Sequence, residues 1–474
     1  MKKPAPTLWW VRRDFRLADN PALAHAIASG GPVVPVFIHD DSVANLGAAP
    51  KWRLGLGLEA LAASLEDAGS RLILRKGDAL DVLRDLIAQT GAKSVTWSHA
   101  YVPDAIERDT KVKAALTDDG IAAESCAGHL LFEPWQVETK AGGFYKVYTP
   151  FWRAARDIPV AACLPAPTEI AAPQDWPHSD NLADWKLGEA MSRGADVVRA
   201  YACVGEAAAE QRLADFLDGP IEDYREGRDF PSRNVTSGLS ENLTYGEIAP
   251  RRLWHAGRQA LEQGAAGAEH FLKEVVWREF AYHLAYHTPR MLTRSWREEW
   301  EDFNWRGDND DAEKWRRGMT GEPMVDAAMR ELYTTGTMHN RSRMIAGSYL
   351  TKHLLTDWRV GQAWFEQTLI DWDPASNAMG WQWVAGSGPD ASPFFRVFNP
   401  ETQAEKFDGS QNYRDLHLKG GEDEEGRNPA EDFYRAIPKS WNITDKTPRP
   451  DRIISLKEGR ERALAAYKGA KEQG

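Results

Sequence analysis

The run LWWV at residues 8–11 decides the fold, because it is the first of four short apolar segments that alternate with amphipathic ones. The other three apolar segments are VVPVFI at 33–38, RLILRKG at 71–77 and KSVTWSHAYV at 93–102. Short apolar runs of this kind predict buried strands. The amphipathic patterns between them predict helices at 21–29, 51–68 and 78–90. Because strands and helices alternate, the sequence predicts a parallel α/β sheet.

The turns of this predicted sheet carry few of the usual nucleotide-binding signals. Asp19-Asn20-Pro21 predicts the start of the first helix, since a capping side chain precedes a proline in the first turn. Neither GxGxxG nor GxxxxGK[ST] follows the first strand, which excludes the common dinucleotide and phosphate loops there. The basic run RRDFR at 12–16 fits either a phosphate-binding site or a loop that caps the sheet.

The composition indicates a folded chain in a reducing compartment. Of the 474 residues, 42% are hydrophobic, which excludes a disordered chain. Cys126, Cys163 and Cys203 are too scattered for a disulfide framework or a four-thiolate zinc site, and we expect a cytoplasmic protein. The N-terminal MKKPAPT is not typical of a signal peptide, and no apolar run is long enough to span a membrane. A net charge of −12 allows nucleic-acid binding only through a local basic face.

The pattern of the chain changes twice along its length. Residues 136–205 are rich in Pro, Gly and Ala and lack sustained periodicity, which predicts a connector that crosses the surface. From residue 206 onward, apolar spacings of i, i+3 and i+4 predict long helices, with a loop-like stretch at 409–450 before a final charged helix. We therefore divide the chain into an α/β domain at 1–135, a connector at 136–205 and an all-α domain at 206–474.

Tryptophan is the most unusual part of the composition. The chain has 20 Trp residues, and ten of them lie between Trp277 and Trp383. A tryptophan-rich helical core explains this cluster in structural terms. A set of stacking surfaces or one-electron redox stations is the alternative explanation, because indole has a broad π-face and can be oxidised by one electron.

Two motifs in the helical part suit a planar ligand that carries phosphate. The segment DFPSRNVTSGLSENL at 229–243 places hydroxyl residues around a glycine just before a helix. This arrangement fits an anion-binding site or an ordinary hydroxyl-rich turn. In KEVVWREF at 273–280, Glu274 and Trp277 share one helical face, where a ring can stack and a carboxyl can form hydrogen bonds. Glu274 can equally be a solvated helix residue.

The segment TMHNRSRMIAGS at 337–348 presents polar side chains in several directions. On a helix, Asn340 and Met344 share a face, whereas Arg341 and Arg343 point elsewhere and can serve different anions. We expect three arginines to be free to meet phosphates outside a pocket: Arg228, Arg341 and Arg396.

The segment DWDPASNAMGWQW at 371–383 combines two carboxylates, an amide and two indoles. Paired carboxylates fit acid–base catalysis, a magnesium site, or a pairing with Arg343 combined with hydrogen bonds to the ring nitrogens of a ligand. His283 and His287 have a metal-ligand spacing, but no HExxH carboxylate accompanies them, and we expect no metal.

Seven motifs together are far more specific than any one of them. They are WWVRRDFRLADNPAL, DFP…TSGLS, VVWREFAYHL, EPMVDAAMREL, MHNRSRM, DWDPASNAMGWQW and FRVFNPETQAEKFD, in this order. The sequence carrying them resembles the photolyase/cryptochrome family of flavoproteins. The resemblance implies an N-terminal Rossmann-like α/β parallel-sheet domain and an all-α C-terminal domain that binds FAD.

The resemblance also implies roles for individual residues. Residues matching FAD-binding positions are Tyr224, Thr236, Ser237, Leu239, Ser240, Phe271, Arg343, Asp371, Asp373 and Asn377. Residues matching the pocket for a flipped pyrimidine dimer are Glu274, Trp277, Asn340, Arg341, Met344 and Trp383, and residues matching DNA-backbone contacts are Arg228 and Arg396. Residues matching an electron-transfer chain are Trp381, Trp358 and Trp305. Glu274, Asn340 and Asn377 are the residues expected to take part in catalysis.

The activity implied is light-driven repair of cyclobutane pyrimidine dimers by electron transfer from excited reduced FAD. Photolyases for (6-4) photoproducts carry histidines at the positions of Asn340 and Met344, and plant-type cryptochromes usually have Asp where Asn377 stands. A (6-4) repair enzyme and a blue-light receptor that repairs nothing remain the alternatives. The expected partner is damaged DNA, and we expect a monomer without membrane association.

Some positions depart from the family pattern. Gly238 stands where many microbial relatives carry Arg, and Ala105 falls where folate-binding relatives have Glu. The segments at 48–61 and 99–109 are closer to the class III branch and to plant cryptochromes. Because the class III branch uses a methenyl-folate antenna, the resemblance favours 5,10-methenyltetrahydrofolate as a second chromophore.

Overall fold

A computed structural model describes residues 4–390 and 396–473 of the chain. Met1–Lys3, with which the segment MKKPAPT begins, lie outside the described residues. Within the described ranges, no helix is both long and apolar enough to cross a lipid bilayer.

Five parallel strands form one sheet in the order β3-β2-β1-β4-β5. The strands are β1 (Thr7–Val11), β2 (Val33–His39), β3 (Ile73–Lys76), β4 (Ser94–Ser98) and β5 (Ala122–Cys126). The central strand β1 is buried along its whole length, and Thr7 pairs with Val33 on one side and Ser94 on the other. Continuous apolar runs form these strands because helices cover both faces of such a sheet. The predicted parallel α/β sheet is confirmed.

Five helices belong to the sheet half of the chain. They are α1 (Pro21–Ala28), α2 (Asp41–Ala44), α3 (Ala48–Asp67), α4 (Ala79–Thr90) and α5 (Pro103–Asp118). The predicted start of α1 is confirmed, because the Asn20 side chain accepts a hydrogen bond from the Leu23 amide at 3.0 Å. The sequence did not predict β5 and α5. Strand β5 reads AAESC and lies half-exposed at the edge of the sheet, so no apolar run marks it.

The segment at 136–205 holds more helix than its composition predicts. It contains α6 (Tyr148–Ala155) and α7 (Gly194–Val198), and α6 buries Phe151 and Trp152. The division of the chain at residues 135 and 205 stays a prediction.

The rest of the chain is mainly helical, as predicted. Its helices are α8 (Glu206–Leu217), α9 (Pro220–Gly227), α10 (Ser240–Tyr245), α11 (Pro250–Glu262), α12 (Ala268–His287), α13 (Asp310–Arg316), α14 (Pro323–Thr335), α15 (Asn340–Ser348), α16 (Trp358–Thr368), α17 (Pro374–Ala385), α18 (Pro400–Phe407), α19 (Asn412–Leu418), α20 (Pro429–Ala436) and α21 (Leu456–Gln473). A π-helical turn at Tyr349–His353 continues α15.

The expectation that 409–450 is loop-like is wrong, because α19 and α20 lie within it. These helices have only 7 and 8 residues, too few for a sustained apolar period. A local signal was present, since Asn428 caps α20 and Pro429 is its first residue. The same Asn-Pro pair at Asn399 and Pro400 begins α18.

A buried ionic cluster joins the sheet half to the helical half. Arg53 of α3 is fully buried, and its guanidinium pairs with Glu241 of α10 and, at 2.6 Å, with Glu247. Removing one partner of such a cluster leaves a buried charge uncompensated, which is strongly destabilising. The cluster therefore holds α10 in a fixed position relative to the sheet half.

Candidate functional site

Asp371 lies just before α17 and is surrounded by polar side chains of α10 and α15, and this set of residues is called the Asp371 pocket. Its Oδ2 accepts hydrogen bonds from the Ser240 hydroxyl and from the Arg343 guanidinium, each at 2.8 Å. Arg343 is oriented by a second hydrogen bond, from its Nε to the Met338 carbonyl at 2.7 Å. The predicted Arg343–Asp371 pairing is therefore present, and it matches one of the three interpretations left open for the carboxylates.

The other oxygen of Asp371, Oδ1, is buried and has no hydrogen-bond partner among the described residues. A buried acceptor without a donor is costly. A bound molecule with an N–H or O–H group would satisfy it, as the ring system or ribityl chain of a flavin can. On this observation the pocket fits FAD.

Asp373 is held at the N-terminus of α17. One of its oxygens accepts from the Ser376 amide at 2.7 Å, and the other accepts a short hydrogen bond from the Tyr282 hydroxyl. Tyr282 also lies 3.1 Å from Nε2 of His129. One turn into the same helix, Asn377 donates to the Gln362 carbonyl at 3.1 Å. These contacts fix both side chains, which the resemblance assigns to FAD binding.

The hydroxyl-rich loop at 236–240 precedes α10. Thr236 and Ser240 are exposed, whereas Leu239 is buried in an apolar cluster with Tyr224 and Phe271, whose rings meet edge to face at 6.1 Å. The loop thus presents hydroxyl groups outward and anchors itself by an apolar side chain.

Gly238 explains one departure from the family pattern. Its φ of +60° lies in the left-handed region, which glycine adopts without strain. Arg212 of α8 donates to the Gly238 carbonyl at 2.8 Å, so a guanidinium still lies beside the loop. Sequence reasoning missed Arg212, because nothing in the spacing of α8 connects it to a loop further along the chain.

Two residues of the predicted substrate pocket lie on α12. Glu274 and Trp277 share its surface, and Glu274 forms an ion pair with Arg228 of the α9 C-terminus. The ring of Trp277 is half-buried. Because Arg228 already has a carboxylate partner, the expectation that it is free to meet phosphate is wrong.

The first turns of α15 carry three more residues of the predicted pocket, and Trp383 lies on α17. Asn340 and Met344 share a face as predicted, with the amide nitrogen 4.0 Å from Sδ. Arg341 points away and pairs with Asp229 at 2.7 Å, so the expectation that it is free is also wrong. It also lies over the Phe407 ring, 4.2 Å from its centroid. The partners could not be inferred from sequence, because they lie on other elements far along the chain.

His339 sets the start of α15 and thereby the direction of Asn340 and Arg341. Its Nδ1 accepts a hydrogen bond from the Arg341 amide at 3.1 Å, which requires that nitrogen to be unprotonated. Burial lowers the pKa of His339 to about 4, so the ring is neutral near pH 7. The cap is therefore stable at neutral pH.

Trp383 and Arg396 lie together beside a small cavity that Phe398 also lines. Arg396 is exposed, and its guanidinium lies 5.9 Å from the Phe398 ring centroid. Arg396 is therefore accessible from solvent, and its contact with a phosphate stays a prediction.

The three tryptophans assigned to electron transfer lie in one apolar cluster. Trp358 and Trp381 are buried members of it, and Trp305 packs against it half-buried. Trp381 meets Phe365 at 4.9 Å and Trp315 at 6.0 Å, both edge to face. The cluster is thus a tryptophan-rich core, which is one of the two interpretations of the sequence, and its use as a set of redox stations stays a prediction.

The histidine pair His283 and His287 is engaged elsewhere. Each ring has a nitrogen near the Pro134 carbonyl, at 3.1 and 3.0 Å. In residues 4–390 and 396–473, no group of three or more His, Cys, Asp or Glu residues has a metal-binding arrangement.

Gly361 of α16 is required by the indole of Trp381. A Cβ at this position would lie 2.0 Å from a ring carbon of Trp381. We expect Gly361→Ala to lower the free energy of unfolding, measured by chemical denaturation, by about 3 kcal/mol because of overpacking. The control is Gly380→Ala in α17, where nothing lies within 4 Å and the helix gains propensity. Equal stabilities of the two variants would contradict this packing.

Family models match both halves of the chain. The model described as DNA photolyase matches residues 7–172, and the model described as FAD binding domain of DNA photolyase matches residues 271–469. The parallel sheet and the helical pocket thus define a protein of the flavin-binding photolyase class.

Individual relatives match over the full length. The deoxyribodipyrimidine photo-lyase of Agrobacterium fabrum (strain C58 / ATCC 33970) is 47% identical over 477 residues, which cover 99% of each chain. The structure of a bacterial class III photolyase from Agrobacterium tumefaciens superposes with a TM-score of 0.90 at 45% identity, covering 100% of this chain and 99% of that one. Cryptochrome-1 of Arabidopsis thaliana is 32% identical over 85% of this chain and 61% of its own. The chain belongs to the DNA photolyase family.

Proposed function

We propose that the protein is a deoxyribodipyrimidine photo-lyase that uses light to repair cyclobutane pyrimidine dimers in DNA. The observation that carries the proposal is the adjacency of two sites on α15. Arg343 turns to the Asp371 pocket, whereas Asn340 and Met344 form a separate face of the same helix. A cofactor and a substrate can therefore be held next to each other.

FAD, when bound, supplies the one-electron donor that blue light excites. The residues that would hold it are Asp371, Arg343 and Ser240 around the carboxylate pocket, Asp373 and Asn377 on α17, and Thr236 and Ser237 on the loop. Tyr224, Leu239 and Phe271 support that loop from the core.

The remaining residues bind and orient the lesion. A dimer must leave the DNA stack to reach the pocket, which costs a few kcal/mol and less for a base that already pairs poorly. Trp277 and Trp383 offer stacking surfaces, each worth roughly 1–3 kcal/mol per base. Glu274 and Asn340 form hydrogen bonds to dimer carbonyl and N–H groups, and Glu274 stabilises charge that develops on the bases.

The DNA backbone is held from the rim of the pocket. Arg396 is exposed and available to a phosphate. Arg228 and Arg341 already pair with Glu274 and Asp229, so a phosphate must compete with those carboxylates.

Trp381, Trp358 and Trp305 form the route by which electrons reach the cofactor from outside.

The remaining assignments belong to the same proposal. Asn340 and Met344 instead of histidines support the cyclobutane substrate over the (6-4) photoproduct.

A second chromophore of the 5,10-methenyltetrahydrofolate type acts as antenna, and the protein works as a monomer in the cytoplasm. The absorption spectrum after acid release identifies the chromophores, because free flavin and folate absorb at different wavelengths.

The experiment that tests the function offers three oligonucleotides of one sequence to the purified protein, with its flavin chemically reduced, under blue light and in the dark. One carries a cyclobutane thymine dimer, one a (6-4) photoproduct and one no damage. We expect conversion of the cyclobutane dimer in the light only. Conversion of the (6-4) photoproduct instead would overturn the proposal in favour of a (6-4) repair enzyme. Conversion of neither lesion would overturn it in favour of a light receptor.

A further inference from the structure

Tyr148 covers one face of the Trp277 ring. The two ring centroids lie 3.7 Å apart and the planes differ by 8°, which is a parallel stack. Tyr148 is 7% exposed and is the first residue of α6, whereas Trp277 is half-buried on α12. The stack therefore places an interior ring behind an indole that reaches the surface.

The position of Tyr148 is fixed from several sides. Its hydroxyl donates to the Lys273 carbonyl at 2.5 Å, one turn before Trp277 on α12. Its amide donates to an oxygen of Asp390 at 3.3 Å, and its ring meets Phe280 edge to face at 5.8 Å. Burial raises the pKa of Tyr148 well above its usual range, so the hydroxyl remains a donor at neutral pH.

We propose that Tyr148 is a positioning residue for recognition of the dimer, and that it acts through Trp277. The inference rests on the proposed function, in which Trp277 stacks on the extruded lesion. An indole that is free to change rotamer must be immobilised when a base stacks on it, which weakens binding. Tyr148 removes this cost by holding one face of the indole, so that the other face is presented ready to the base.

Aromatic pairs of this kind contribute beyond the burial of their area, and their loss corresponds to about 2- to 10-fold in an equilibrium constant. Loss of the stack weakens the binding of damaged DNA alone. In an undamaged duplex the bases stay stacked within the DNA helix and do not reach Trp277. The diagnostic quantity is therefore the ratio of the Kd for undamaged DNA to the Kd for dimer-containing DNA.

The experiment compares Tyr148→Phe with Tyr148→Leu in the FAD-containing protein. We expect Tyr148→Phe to keep the Kd ratio of the unmodified protein, because the ring remains. We expect Tyr148→Leu to lower the ratio about 2- to 10-fold, as the stack is lost. Tyr145→Leu is the matched control, since Tyr145 lies in the same segment and contacts Phe151 instead of Trp277. It should leave the ratio unchanged.

A double-mutant cycle separates positioning from general destabilisation. In a Trp277→Leu background, Tyr148→Leu should change the ratio no further, because its effect passes through the indole. Partial unfolding does not mimic this result. Both Kd values are calculated from the concentration of active protein, so an unfolded fraction does not change their ratio.

Each outcome decides the inference. If the unmodified protein prefers dimer DNA and Tyr148→Leu keeps or raises that preference, Tyr148 does not position Trp277 and the proposed function stands. An equal effect of Tyr148→Leu with and without Trp277 overturns the inference in the same way. If the unmodified protein shows no preference for dimer DNA, the proposed function fails and the inference fails with it.

Discussion

Replacing Trp381 with phenylalanine is expected to abolish photoreduction of bound oxidised FAD while leaving repair by pre-reduced protein intact. Trp381 is 4% exposed, on the same helix as Asp373 and Asn377. Phenylalanine keeps an aromatic ring in the cluster, but benzene is much harder to oxidise than indole. The measurement is flavin absorbance under blue light with an external reductant, followed by dimer repair after chemical reduction.

The matched control for this prediction is Trp315→Phe. The indole of Trp315 is fully buried, meets Trp381 at 6.0 Å and donates its N–H to the Ala346 carbonyl at 3.0 Å. We expect this variant to photoreduce like the unmodified protein. Photoreduction that persists in Trp381→Phe, or is lost in Trp315→Phe, would show that electrons take another route among the tryptophans, through Trp315 or Trp364.

Replacing Glu274 with alanine is expected to lower the yield of repair per absorbed photon about 10-fold or more, with an unchanged flavin spectrum. The variant loses a hydrogen bond to a charged group, worth roughly 1.5–3 kcal/mol or about 10- to 150-fold. It also leaves Arg228 without its carboxylate partner. Repair yield is measured at matched flavin absorbance with saturating dimer DNA, so that weaker binding does not enter the result.

Glu269→Ala is the control for Glu274. Glu269 is an acidic residue of the same helix, and it pairs with Lys273 at 3.1 Å on the exposed surface. Such a pair contributes little, and its removal should leave the repair yield unchanged. Undiminished repair in Glu274→Ala would remove this carboxylate from the mechanism.

Local sequence patterns were sufficient to predict those elements whose structure is determined by their own residues. The strand around Leu8 is buried throughout because it is central, and Asn20 with Pro21 marks a helix start by capping chemistry. The helix at 340–348 brought Asn340 and Met344 onto one face by its period alone. In the same way the Asn-Pro signals before α18 and α20 were readable, although the short helices after them carried no clear period.

Other features depend on contacts between distant segments, which no local pattern encodes. Strand β5 is recognised only as the edge partner of β4, since its own residues are small or polar. The pairing of Arg228 with Glu274 could not be inferred from their spacing, nor could the stack of Tyr148 on Trp277. Tyr148 lies in a segment whose composition resembles a connector, so its position behind the substrate face emerges only from the fold.

The central claim is that reduced FAD in the Asp371 pocket lies within electron-transfer distance of a dimer bound against Trp277 and Asn340. The most direct test is the fluorescence lifetime of the reduced flavin in the purified protein, measured with dimer-containing DNA and with undamaged DNA of the same sequence. We predict that the lifetime shortens on binding of the dimer and stays unchanged with undamaged DNA. Equal lifetimes with the two DNAs, under conditions where both are bound, would contradict the account.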